Sequence, residues 1–282
     1  MIKTKSILLF WWSEPRLMGK SKENYGDLIG AYLVGKISNK KVVWTHPKHW
    51  HLKDYFQPIF VTAGSILAQV NKKCVVWGSG IIQKNQKVKP ATFLAVRGPQ
   101  TRINLLAQGY NVPEVYGDPG LLMPLFYYPK VEKTYRLGIV PHYTDFATVK
   151  LMYQGNDQIL IIDLMTNDIE ATTNLFLQCE RIISSSLHGL IVAHAYQIPA
   201  IWVEFSQKLF GDGIKFQDYF ESLNIMTYKP ERIQNVLDFD ALLLLCSTEN
   251  SLPKVDNVKI LQENLLRVCP FMNHQNFLNI LK

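Results

Sequence analysis

At 282 residues the chain suits two α/β domains of ordinary size better than one, and with 48% of its residues hydrophobic it can bury a full core in each. Its longest apolar runs, residues 7–12 and 187–195, fall far short of the ~20 residues of a membrane span. The net charge of +7 is dispersed, with no run of four basic residues and no basic helix stripe, which argues against nucleic acid and for a small anionic substrate. A basic start (Met1 to Lys5) before an apolar stretch has the outline of a signal peptide. The stretch is too short, however, and Ser13-Glu14-Pro15-Arg16 follows in place of a small-residue cleavage site. It reads as a first buried strand of a protein expected in the cytoplasm or at the cytoplasmic face of the membrane. Cys74, Cys179, Cys246 and Cys269 form no C-x-x-C pair and are expected to be buried free thiols.

In chain order, residues 6–12 predict a strand and 25–37 a helix. Short strands follow at 42–45, 59–63, 74–77 and 93–96, the last leading into a helix that Pro99 opens and that runs to residue 108. Residues 127–134 break the rhythm and read as a linker. The alternation then restarts: strand 136–140, helix 146–153, strand 159–164, helix 168–178 capped by Asn167 or Asp168, strand 181–184, helix 187–196 and strand 200–204. From residue 215 onward the pattern is helical, ending in an amphipathic stretch near 255–268. Alternation of this kind predicts parallel sheets built from βαβ units. The expected fold is therefore α/β: two Rossmann-like domains, 1–126 and 135–282, facing each other across a cleft, with a helical C-terminus.

Ligands of open parallel sheets bind beyond the carboxyl ends of the strands. Six motifs fall at such ends: Gly64-Ser65, Gly78-Ser79-Gly80, Arg97-Gly98-Pro99, Gly117-Asp118-Pro119, Pro141-His142-Tyr143 and Ser184-Ser185-Ser186-Leu187-His188-Gly189. The last sets hydroxyls and free backbone N–H groups at a helix N-terminus, which favours phosphate or carboxylate. His188 would stand in the first turn, placed to move a proton near neutral pH. His194 falls on another face and reads as structural. His46, His49 and His51 cluster without a nearby cysteine, so no metal is expected; a solvated loop fits them, or, with Trp50, a surface that stacks on sugar.

The segment from Ser184 to Glu204 resembles the C-terminal signature of the polysaccharide pyruvyl transferases. So do Asn24-Tyr25-Gly26-Asp27, Arg97-Gly98-Pro99-Gln100-Thr101, Gly117-Asp118-Pro119 and Lys215-Phe216-Gln217-Asp218-Tyr219, all in the expected order. The resemblance implies a fold like that of the two-Rossmann-domain (GT-B) glycosyltransferases. It also implies phosphoenolpyruvate as donor substrate, with no further cofactor, and a saccharide acceptor, free or lipid-linked, which would allow peripheral membrane association. By this resemblance His188 matches the histidine assigned acid/base work, and His142 is the best second catalytic group. Arg97, Lys215, Ser185, Ser186 and Gly189 are expected to bind the donor, and Asn24, Asp27, Ser79 and Trp50 the acceptor. Many members carry an arginine where Ser186 stands, so the donor's anion needs another cation; Arg97, Lys215 and Arg181 are available, in that order. A glycosyltransferase of the same architecture using a nucleotide sugar, with Glu204 on a ribose, is the rival reading; a non-catalytic saccharide-binding protein is the other.

Overall fold

A computed structural model describes residues 6–49, 56–208 and 210–272. The first sheet contains β1 (Ser6–Phe10), β2 (Lys41–Trp44), β3 (Ile59–Val61), β4 (Cys74–Trp77) and β5 (Thr92–Ala95), with α1 (Glu14–Met18), α2 (Tyr25–Ser38), α3 (Pro99–Ala107) and α4 (Met123–Phe126) among and after them. The second contains β6 (Leu137–Val140), β7 (Ile159–Ile161), β8 (Ile182–Ser184), β9 (Ala200–Glu204) and β10 (Glu231–Arg232). Its helices are α5 (Phe146–Met152), α6 (Ile169–Leu177), α7 (Leu187–Ala195), α8 (Ile214–Ser222), α9 (Phe239–Leu245) and α10 (Val255–Arg267). The expected helices and strands are present with ends shifted by a few residues. The exceptions are α1, the four-residue α4 and the two-residue β10, all too short to show a period.

All strand pairs are parallel. The orders are β2-β1-β3-β4-β5 and β10-β9-β8-β6-β7. Counted from its own first strand, each sheet therefore has the same order, 2-1-3-4-5, in which the chain reverses direction across the sheet between the first and third strands. That reversal opens a crevice beyond the carboxyl ends of those two strands. In the first sheet the crevice lies between β1 and β3, and in the second between β6 and β8.

Residues 127–134 carry no regular secondary structure and separate the two sheets in the chain. One apolar cluster nevertheless spans both halves: Tyr25, Ile29 and Leu33 of α2 belong to it together with Leu190 and Ile191 of α7 and Phe216 and Tyr219 of α8. The C-terminal helix returns to the first half, where the Leu265 carbonyl accepts from Trp77 Nε1 at 3.0 Å and Gln262 Nε2 donates to the Leu121 carbonyl at 2.7 Å. All four cysteines are buried and unbridged, as expected. No helix among the described residues is long and apolar enough to cross a membrane.

Candidate active site

The turn from β8 into α7 is built by its serines. Ser184 Oγ is buried 3.0 Å from the Val140 carbonyl and 2.8 Å from that of Ser186, and accepts from the Ser186 N–H at 3.0 Å. Ser185 Oγ accepts from the His142 N–H at 2.8 Å, which fixes the end of β6 beside the end of β8. Gly189 must be glycine, because a Cβ there would stand 2.2 Å from Ser184 Oγ. Ser186 is the N-cap of α7, yet its hydroxyl does not turn back onto the helix. The first-turn N–H groups thus lack a side-chain acceptor, and a helix start left open in this way is the kind of place where anions bind.

His188 is held from two sides. A Cβ at residue 26 would lie 2.0 Å from its Nδ1, so the absent side chain of Gly26 makes room for the ring. Its Nε2 is 3.6 Å from Asp118 Oδ2, and Asp118 is completely buried. The other Asp118 oxygen accepts from the Gly120 N–H at 2.9 Å, which locks the carboxylate in place. Neither Asp118 Oδ2 nor His188 Nε2 has another hydrogen-bond partner among the described residues. Asp118 was given no role from the sequence. Its position at a strand end was the available signal, but its partner lies 70 residues further on.

Three more groups share this region. The half-buried Asp27 carboxyl forms no hydrogen bond or ion pair among the described residues and faces Gly64, where a Cβ would meet its Oδ1 at 3.2 Å. Burial pushes this carboxyl up to about 7, against the pull of His188 and with repulsion from Glu14 and Glu23. Burial likewise draws the Lys215 ammonium down to about 8; Arg97 adds to that shift and Asp27 opposes it. Lys215 has no carboxylate within ion-pair distance among the described residues. His142 is lowered to about 4 by burial and then by Lys215 and Lys20, so it is neutral at pH 7. Its Nδ1 lies 2.8 Å from Thr144 Oγ1, which orients the ring.

The Asp27 shift has a sign that can be measured. Its folded value is above the ordinary 3.8, so ionisation opposes folding. The cost is absent below about 4, grows as pH rises, and is complete above about 7. Asp27→Asn should therefore melt at a higher temperature than the parent at pH 8, and the gap should close by pH 4. Equal gaps at both pH values would show that the carboxyl is not strained toward its neutral form.

Other sequence-picked residues are placed differently. Arg97 is fully buried: Nε donates to Asp218 Oδ2 at 3.0 Å, Nη1 to Ser65 Oγ at 2.6 Å and Nη2 to the Ile81 carbonyl at 2.7 Å. The guanidinium has no surface left for a donor anion; it joins the two halves. Ser79, picked for the acceptor, is also fully buried, its hydroxyl donating to the Gly64 carbonyl at 2.7 Å. Asn24 caps α2 by accepting from the Gly26 N–H at 3.0 Å, and its backbone bridges to Met165 of the second half. Trp50 and His51 lie outside the described residues. His46 is buried edge-on against Phe10 and so is not part of a solvated loop. No metal-competent cluster occurs among the described residues. His194 is structural as expected, buried between the Tyr219 hydroxyl at 3.0 Å and the Ala200 carbonyl at 3.3 Å. Glu204 is paired with Arg232 at 3.0 Å, a partner contributed by the unforeseen β10.

Two parallel sheets of equal strand order bring an open helix N-terminus, an ammonium without an ion-pair partner among the described residues and two histidines to the region beyond their strand ends, where open α/β sheets bind their ligands. A sequence profile of the polysaccharide pyruvyl transferase family matches residues 24–207, and the chain belongs to that family. The matched span holds Asp27, Asp118, His142 and the whole β8–α7 turn. An uncharacterized protein of Acanthamoeba polyphaga mimivirus is 36% identical over 209 residues, covering 72% of this chain and 71% of that protein.

Proposed function

We propose that this protein moves the pyruvyl group of phosphoenolpyruvate onto two hydroxyls of one sugar in a polysaccharide or its precursor, forming a cyclic ketal and releasing phosphate. The observation that supports the reading is the half-buried Lys215 ammonium, without an ion-pair partner among the described residues, whose charge is felt by His142, itself bonded through its N–H to Ser185 in the turn that opens α7. A cation kept from water without a counter-ion calls for an anionic ligand. Phosphoenolpyruvate brings a phosphate and a carboxylate, and each charge-assisted bond contributes ~1.5–3 kcal/mol.

In this reading Lys215, Ser186 Oγ and the first-turn N–H groups hold the donor, and Lys215 supplies the cation that the buried Arg97 cannot. A general acid protonates the methylene carbon, leaving a cationic centre at C2 that a sugar hydroxyl attacks. Phosphate then leaves with the C2–O bond pair, and a second hydroxyl of the same sugar closes the ring. Of the two hydroxyl protons, one replaces the proton given to carbon and the other leaves with phosphate. His188 is the acid, with Asp118 holding its ring. Asp27 and the neutral His142 are the groups able to accept hydroxyl protons. Two parallel sheets of equal strand order, each with its own crevice, suit a division between donor and acceptor.

The test is thermal. Phosphoenolpyruvate at millimolar concentration should raise the melting temperature, as any ligand selective for the folded state does, and nucleoside diphosphates and nucleotide sugars should not. Lys215→Met should abolish the rise. A shift with a nucleoside diphosphate and none with phosphoenolpyruvate would replace this proposal with the glycosyltransferase reading.

A further inference from the structure

A cavity of about 250 Å³ opens at the carboxyl end of β9, between that strand and the start of α8. Trp202, Glu204, Phe210, Asp212, Lys215 and Arg232 are among its walls. Lys215 is common to this cavity and to the site above, where it feels Asp27 and His142. Lys215 therefore links the two spaces.

The chemistry of the walls selects the occupant. Glu204 and Asp212 match Lys215 and Arg232 in number, so the lining carries no net charge, and with Lys215 engaged by the donor the remaining walls give an anion no advantage. The Glu204–Arg232 pair sits at the rim, its side chains 23% and 40% exposed, presenting a planar acceptor and a planar donor side by side. Trp202 is stacked on Phe216 with ring centroids 4.0 Å apart. Its indole N–H is buried and has no acceptor among the described residues, which native interiors rarely tolerate. Phe210 is 66% exposed and offers an aromatic face. A neutral ring with an apolar face and hydroxyls at its edge meets the aromatic walls and the paired carboxylate and guanidinium; a nucleotide or a second phosphate would bring charge that the walls do not answer.

The cavity is also fixed in shape. Asp212 Oδ2 accepts from the Lys84 N–H at 2.8 Å, and its Oδ1 accepts from the Ile214 N–H at 3.1 Å. Gly211 has a φ of +104°, and a Cβ there would press to 2.6 Å on the Ile82 carbonyl. The Lys84 bond and the close approach to Ile82 pin the wall loop to the first half.

We propose that this cavity is a second sugar subsite, which takes an uncharged ring of the acceptor chain adjoining the ring that is pyruvylated. The inference rests on the pyruvyl-transfer reading for its acceptor, but it makes a claim of its own: the acceptor is recognised as at least a disaccharide. Lys215 marks the boundary between the ring that reacts and the ring that is only held.

The experiment uses the full chain labelled with ¹⁵N-tryptophan, with the Trp202 indole signal assigned through Trp202→Phe. Methyl β-glucopyranoside, methyl β-galactopyranoside, cellobiose, lactose, uridine diphosphate and phosphoenolpyruvate are titrated separately. The expected result is a saturable movement of the Trp202 signal with at least one sugar, tighter for a disaccharide than for its methyl glycoside. Glu204→Gln should weaken that binding by about tenfold, the usual loss for one charge-assisted hydrogen bond. Phe210→Ala, at an exposed position that cannot unsettle the core, should weaken it as well. If no sugar moves the signal while phosphoenolpyruvate still raises the melting temperature, the subsite is overturned and pyruvyl transfer stands. If sugars bind as described but phosphoenolpyruvate gives no thermal shift, the subsite stands and the transfer reading falls. Movement by uridine diphosphate alone would assign the cavity to a nucleotide and overturn the proposal.

Discussion

His188→Asn should lower turnover by ~10²-fold or more, the usual contribution of a positioned proton-transfer group, while the thermal shift with phosphoenolpyruvate stays as in the parent. Asparagine is polar and of similar size but cannot act as an acid. The proposed anion seat consists of Ser186, the backbone of α7 and Lys215, none of which the substitution removes. In His188→Ala, added imidazole should restore part of the lost turnover, because the space beside Gly26 is shaped to a ring and that variant leaves it vacant. Rescue separates a missing acid from a distorted helix start, which a small molecule would not repair. Asp118→Asn should act in the same direction and more mildly, since it keeps the hydrogen bond to Gly120 and removes only the charge facing Nε2. Parent-like turnover in His188→Asn, measured as pyruvylated sugar, would take His188 out of the mechanism and leave Asp27 and His142 to carry the protons.

The parts of this site that could be read in the sequence are those with a local signature. Apolar runs ending in glycine or serine located the strand ends, and Ser184–Leu187 announced a polar turn opening a helix. His188 and His142 followed from those turns, and the structure brings the two turns together through the bond between the His142 N–H and Ser185. What escaped was pairing at a distance. Arg97 ends a buried strand with no local reason for a guanidinium, which invited a ligand as its explanation. Its counter-ion lies 121 residues away on α8. Asp118 is linked to His188 in the same non-local way. Ser79 looked like a free hydroxyl at a strand end, but the Gly64 carbonyl takes it at the neighbouring strand end. No period or spacing encodes such partners, because they depend on how two sheets are set against each other. The short β10 went unseen for a related reason: two residues cannot show alternation, and the strand exists by pairing with β9.

Asp218→Ala should be the most destabilising single change at the contact between the halves, at ~3–5 kcal/mol, because it strands a fully buried guanidinium without its counter-ion. Asp218 accepts three bonds: from Arg97 Nε at 3.0 Å, from the Thr101 N–H at 2.8 Å and from Thr101 Oγ1 at 2.7 Å. The backbone is closely fitted here too, since a Cβ at Gly98 would lie 1.9 Å from the Asp218 carbonyl. For a chain of this size the loss corresponds to a fall in melting temperature on the order of 10 °C. Asp218→Asn should fall between parent and Asp218→Ala, retaining a hydrogen-bond acceptor but not the charge. Arg97→Met combined with Asp218→Leu should recover much of the loss, because an apolar pair of similar volume removes the stranded charge. A drop of only a degree or two in Asp218→Ala would mean that the pair is not a principal tie between the halves. The consequence reaches the site through one turn of helix. Lys215 precedes Asp218 by three residues on α8, so the two share a face, and what anchors Asp218 also aims Lys215. With Asp218 gone, the uncompensated Arg97 charge would press harder on the ammonium it already disfavours. Asp218→Ala should therefore lose phosphoenolpyruvate binding even at temperatures where it is still folded, whereas Arg97→Met with Asp218→Leu should regain stability and binding together.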